Sequence, residues 1–265
     1  MIKLFVTDLD GTILFNDRFP DIVIEGIERL LKEDINIVIA SGRMFHSILY
    51  YQKLLGLSSP IIAYNGAMIG TSDFRILYHS PIPYPMWKEI AIYLRERDLQ
   101  INLYFNDALY IVGKSEYGEN YPKQNKVDAL FVEDLEDLPE LPTTKVLGIG
   151  DGEKVKEIIT PIKARFDGAL YITTSSPTYL EIMKKDVSKG NAVRYLAGML
   201  GIPLLEVAGV GDSFNDIELL KEVGVGITFG NAPEEVKAAA NYITSKESPS
   251  GFEEVVDYII WRNHS

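Results

Sequence analysis

The chain contains no cysteine, so disulfides, thiolate nucleophiles and sulfur-ligated zinc or iron–sulfur sites are excluded together. Histidine is nearly as scarce. His46, His79 and His264 are scattered and lie outside any motif, which argues against a histidine-based triad or metal site. Basic residues are outnumbered, 26 Lys and Arg against 38 Asp and Glu, giving a formal charge of -12 over 265 residues. Nucleic acid and anionic lipid are captured by basic surfaces, so neither nucleic acid nor membrane is expected as a partner, and no protein partner is predicted. An anionic substrate would need a metal or a local basic cluster to attract it. Long apolar runs are also missing: none approaches the ~18 residues of a membrane span. Asp8 and Asp10 interrupt any apolar leader, and the expected location is cytoplasmic.

What is present is a globular composition, 46% hydrophobic and 24% charged, sufficient to bury a core. Short apolar runs near 3–6, 35–40, 61–63 and 204–210 suit strands buried on both faces of a parallel sheet. Between them Val23, Ile27, Leu30 and Leu31 share a helical face, as do Val193, Leu196, Ala197 and Leu200. Phe252, Val255, Val256, Ile259 and Ile260 form a third such stripe. This alternation predicts an α/β fold with a doubly wound, Rossmann-like parallel-sheet core. From about 80 to 186 the pattern changes to more tyrosine and a hairpin-like stretch, Ile101 to Val112, turning at Asn106-Asp107. The expected organisation is a core of 1–80 and 187–265 with an inserted α+β domain, 81–186. Pro81, Pro83 and Pro85 predict an extended connector that resists helix.

The strongest local signal is Asp8-Leu9-Asp10-Gly11-Thr12, directly after an apolar strand. Both carboxylates should emerge at the carboxyl end of the sheet, where open α/β sheets bind ligands, and in an extended chain they would point to the same side. Ala40-Ser41-Gly42-Arg43 ends the next predicted strand and opens a helix, where the Ser41 hydroxyl and Gly42 amide could meet a phosphate oxygen. Ser188-Lys189-Gly190 starts another helix, a position unfavourable for an ammonium unless an anion lies beside it. Gly211-Asp212-Ser213-Phe214-Asn215-Asp216 follows a further strand. Each alone reads as a turn or a helix cap. Separate caps, however, have no reason to collect paired acids, a hydroxyl, a lysine and another acid on one edge of a sheet.

In this combination the sequence resembles the haloacid dehalogenase superfamily of phosphatases, in particular the Cof-type branch with a large α+β cap. The resemblance also covers Tyr64-Asn65-Gly66-Ala67 and Gly230-Asn231-Ala232-Pro233. It implies a magnesium-dependent phosphatase acting on a small phosphorylated metabolite, a sugar phosphate or a related compound. Asp8 would be the nucleophile and Asp10 the general acid and base, with Asp10 starting protonated under the influence of neighbouring like charges. Asp8, the Asp10 main-chain carbonyl and Asp212 would hold Mg2+. Ser41, Gly42, Lys189 and Asn215 would grip the phosphoryl oxygens, Asp216 would orient Lys189 or a metal-bound water, and Arg43 and Asn65 are weaker substrate contacts. The alternatives are a sugar phosphomutase and a catalytically silent regulator that binds a phosphate ligand.

Overall fold

The first stretch of chain forms β1 (Leu4–Thr7), α1 (Asp21–Lys32), β2 (Asn36–Ile39), α2 (Phe45–Leu54), β3 (Ile61–Ala63), β4 (Met68–Gly70) and β5 (Ile76–His79). There follow α3 (Tyr84–Arg95), β6 (Gln100–Phe105), β7 (Ala108–Val112), α4 (Glu116–Asn125), β8 (Ala129–Val132), β9 (Val146–Ile149), α5 (Gly152–Arg165), β10 (Leu170–Ser176) and β11 (Tyr179–Lys184). The last stretch is α6 (Lys189–Leu200), β12 (Val207–Val210), α7 (Ile217–Glu222), β13 (Val225–Thr228), α8 (Glu234–Lys237), β14 (Tyr242–Ile243) and α9 (Phe252–His264). This computed structural model describes residues 1–166 and 168–265. The chain divides into two units, one of Met1–Tyr78 with Ser188–Ser265 and one of His79–Val187.

In the first unit a parallel sheet runs in the order β14-β13-β12-β1-β2, and β3 joins β2 through an Ala40–Ile62 bridge. The sheet core is an α/β doubly wound arrangement, as the apolar runs predict. Register then builds the site. Thr7 lies opposite both Ile39 and Val210, so Asp8, Ala40 and Gly211 leave the sheet at one level. The chain continues from β1 to one side and later resumes on the other at β12, and such a reversal opens a crevice at the carboxyl ends of the strands.

Local details depart from the sequence pattern. Leu31 and Leu200 are 43% and 45% exposed: Leu31 lies at the edge of the stripe that α1 turns inward, and Leu200 is the last residue of α6. Residues 204–206 form a 3-10 turn after Pro203, and strand begins only at Val207. Pro85 falls in the first turn of α3, where a missing N–H costs nothing, so this proline belongs to a helix start rather than to an extended connector.

The second unit carries a six-stranded sheet in the order β10-β11-β9-β6-β7-β8. Its β6–β7 hairpin turns at Asn106 and Asp107, both left-handed at φ 50 and 62, the geometry that suits a two-residue loop of this composition. Trp87, Ile90 and Leu94 of α3 and Val155, Ile158 and Ile162 of α5 pack with Leu103, Val146, Leu180 and Ile182. A buried ion pair, Lys145 Nζ to Glu181 at 3.1 Å, also lies in this unit.

Candidate active site

Asp8 is the first residue past β1 and is 5% exposed. One of its carboxylate oxygens accepts a short hydrogen bond from Lys189 Nζ. The other accepts none among the described residues. Lys189 opens α6, where Ser188 caps the helix by accepting from the Asn191 amide at 3.1 Å. Its Nζ also donates to Asp216 Oδ1 at 2.6 Å, and the ammonium is wholly buried. Gly190 permits this approach: a Cβ there would stand 2.4 Å from the Glu218 carbonyl oxygen, closer than any real contact.

The loop after β12 supplies the other acids. Asp216 Oδ2 accepts from the amides of Asp212 and Ser213 at 3.1 and 3.0 Å, so both of its oxygens are committed to holding neighbours in place. Asp212 accepts from Thr12 Oγ1 at 2.8 Å and from Ser213 Oγ at 3.0 Å. Gly11, at φ +82, runs past this side chain so closely that a Cβ would be 2.8 Å from Asp212 Oδ2. Asn215 and Asp216 occupy a 3-10 turn ahead of α7 rather than the first turn of an α-helix.

Asp8, Asp212 and Asp216 each place a carboxylate oxygen within 4.8 Å of the others. Burial first, then the charges of Asp216, Asp212 and Asp10, push the Asp8 carboxyl well above the usual carboxylate range, although Lys189 opposes this. Asp212 is pushed up by burial and by Asp216. Burial would strip the proton from Lys189, but Asp216 and Asp8 outweigh that and hold it above the ordinary lysine value. Three carboxylates therefore face one ammonium, an excess of two negative charges when all are ionised. The donor set is all oxygen, and a hard divalent cation such as Mg2+ fits both the charge and the chemistry.

Asp10 departs from expectation. Its side chain is half exposed and forms a bidentate pair with Arg43, Nε to Oδ2 at 2.8 Å and NH2 to Oδ1 at 2.6 Å. Its nearest charge is a guanidinium, not the like charges that the motif suggests. Ser41 to Arg43 do not open a helix either: α2 begins at Phe45, and Ser41 Oγ instead accepts from the Arg43 amide at 3.2 Å. That loop is tied through Asn65 to the loop after β12, since the Asn65 amide donates to the Ser41 carbonyl at 2.9 Å and Asn215 Nδ2 to Asn65 Oδ1 at 3.0 Å. Gly42 runs beside the Asn65 side-chain amide. Bonds thus gather the candidate side chains into two sets, Asp8, Lys189, Asp212 and Asp216 in one and Asp10, Ser41, Arg43, Asn65 and Asn215 in the other, which adjoin where Asn215 precedes Asp216 in the chain. Sequence reasoning assigned no part to Thr12, although it lies inside the first motif, nor to Ser213. It also passed over Asp17 and Tyr51, whose contact with Arg43 no spacing announces.

A family model described as haloacid dehalogenase-like hydrolase matches residues 5–256. The crystal structure of a Thermotoga maritima protein is 33% identical with a TM-score of 0.85, over 98% of each chain. A haloacid dehalogenase-like hydrolase from Bacteroides thetaiotaomicron superposes with a TM-score of 0.87 at 28% identity, covering 98% of this chain and 100% of the other. Among curated relatives, the 5-amino-6-(5-phospho-D-ribitylamino)uracil phosphatase YcsE of Bacillus subtilis is 28% identical over 255 residues, 94% of this chain and 92% of that protein.

Proposed function

Because the chain belongs to the haloacid dehalogenase-like hydrolases and is a phosphatase of that family, we propose that it hydrolyses monoesters of small phosphorylated metabolites, sugar phosphates or close relatives, through an aspartyl-phosphate on Asp8. The observation that carries this reading is the state of Asp8: one oxygen fixed on a buried ammonium, the other unbonded, in an acid cluster short of positive charge.

The unbonded Asp8 oxygen attacks phosphorus, so that one difficult displacement becomes two easier ones. Lys189 keeps that carboxylate aimed while balancing charge on the phosphoryl oxygens, and Asp216 fixes Lys189. Ser41 Oγ, the Gly42 amide and Asn215 Nδ2 supply further donors, and Asn65 sets the Asn215 amide. Preorganised donors of this kind are each worth about 3 kcal/mol in a transition state. Asp10 delivers a proton to the leaving oxygen and then takes one from the water that cleaves the phospho-aspartate. Asp8, Asp212 and the Asp10 main-chain carbonyl would hold Mg2+. When bound, the ion neutralises charge on the ester dianion and on the acids around it. The insertion, residues 81–186, selects the ester.

A panel of aryl and metabolite phosphates assayed with Mg2+ tests the reading. Release of inorganic phosphate from several members, abolished by a chelator, is expected; no release from any member would refute it. Binding should also be visible without turnover. At a hundredfold excess over its Kd, Mg2+ should stabilise the protein by about 2.7 kcal/mol, read as a rise in Tm. Asp212→Asn should lose most of that rise.

A further inference from the structure

Arg43 is held from three directions. Its guanidinium clamps both oxygens of Asp10, lies over the Tyr51 ring at 5.1 Å, and carries NH2 3.9 Å from Asp17 Oδ1. The same Asp17 oxygen accepts a 2.8 Å hydrogen bond from the Tyr51 hydroxyl. Asp17 reaches this place because Asn16 and Asp17 both adopt left-handed backbone, φ 49 and 59, in a tight turn closed by the Phe15–Arg18 bridge. Asn and Asp tolerate that conformation better than most residues. Burial first and then Asp17 push the Tyr51 hydroxyl above its usual range, so it remains a donor at neutral pH.

Two carboxylates therefore compete for one guanidinium, and only one of them has a part in the reaction. A carboxylate with both oxygens accepting from arginine is badly placed to pass a proton to a leaving group or to take one from water. Asp10 must be let go, and Asp17 with Tyr51 offers Arg43 an alternative seat a short shift away. Opening the Asp10–Arg43 pair costs the two hydrogen bonds of a bidentate contact, and because Asp10 is 48% exposed, water can replace them at its oxygens.

We infer that Tyr51 and Asp17 are positioning residues: they form a docking place to which Arg43 moves, and this exchange frees Asp10 for proton transfer. The inference rests on the acid–base role proposed above for Asp10. Neither Tyr51 nor Asp17 touches the reacting atoms; they act through Arg43.

The test compares two substrates whose leaving groups differ in their need for an acid. An aryl phosphate with a good leaving group departs without protonation, whereas an alkyl phosphate does not, and kcat/KM reports events up to that departure. Asp17→Asn keeps the turn and an acceptor for Tyr51 but removes the charge that attracts Arg43. It should lower kcat/KM for the alkyl ester about tenfold, leave the aryl ester within about twofold, and leave Tm unchanged. Tyr51→Phe, which retains the ring beneath Arg43, should shift the ratio in the same direction by less. An unchanged alkyl-to-aryl ratio in Asp17→Asn, whether both rates fall or neither does, would overturn the docking role. If the wild-type protein hydrolyses neither ester, it is the functional reading that fails instead.

Discussion

Asp8→Asn is expected to reduce phosphate release by a factor on the order of a thousand or more for every ester the wild type accepts, since the reaction loses its nucleophile. The same substitution should not destabilise the metal-free protein. Burial and three neighbouring acids raise the Asp8 carboxyl above its ordinary value, so the native state binds its proton more tightly than the unfolded chain does. Stability must then fall as pH rises from the ordinary carboxylate range, about 3.9, through the raised folded value. Asparagine has no such charge to bury. At neutral pH without metal, Asp8→Asn should melt at or above the wild-type temperature, and this advantage should shrink as pH approaches about 4. Thermal scans across that range, with chelator present, read both the sign and the window.

Lys189→Met should do the reverse to stability and the same to activity. The ammonium is the cation bonded to both Asp8 and Asp216. Its removal leaves two buried carboxylates facing each other and Asp212 without compensation, a loss of about 3–5 kcal/mol. Turnover should vanish as well, because the aiming of Asp8 and the grip on the phosphoryl oxygens depend on the same group. The raised value of Lys189 fixes the pH window in the wild type. Its contribution is complete below the ordinary lysine value, about 10.4, and is lost as pH rises through the folded value. Opposite stability effects from two residues that share a hydrogen bond follow directly from an excess of acid in the cluster. A double variant, Asp8→Asn with Lys189→Met, should recover part of the lost stability.

Much of this was legible in the sequence because it depended on strand ends. An apolar run followed at once by a carboxylate identifies both the strand and the edge it leaves, and in a parallel sheet all such edges lie on one side. Asp8, Asp212 and Asp216 could be gathered on that argument, and Lys189 by its place at a helix start, where an ammonium needs an anion beside it. Asn65 and Asn215 entered with the motifs around them, but their mutual bond depends on tertiary approach. The partner of Asp10 was not legible, since Arg43 reaches it from another loop and no spacing announces that contact. The helix start expected at Ser41 failed for a related reason. Ser41 has the right type for an N-cap, yet its hydroxyl accepts from Arg43 within a local turn, and the helix begins later. In the insertion, the apolar stripes and the Asn-Asp turn could be read, whereas the Lys145–Glu181 pair joins residues whose separation in sequence carries no signal.

The central claim is that Asp8 itself carries the phosphoryl group. Mixing enzyme, Mg2+ and a good substrate, quenching in acid within the first turnovers, and reducing the product with borohydride would convert an aspartyl-phosphate to homoserine at the residue that bore it. Peptide mass spectrometry should find that conversion at position 8 and nowhere else. Full turnover with Asp8 unmodified, or modification of a different carboxylate, would contradict the account.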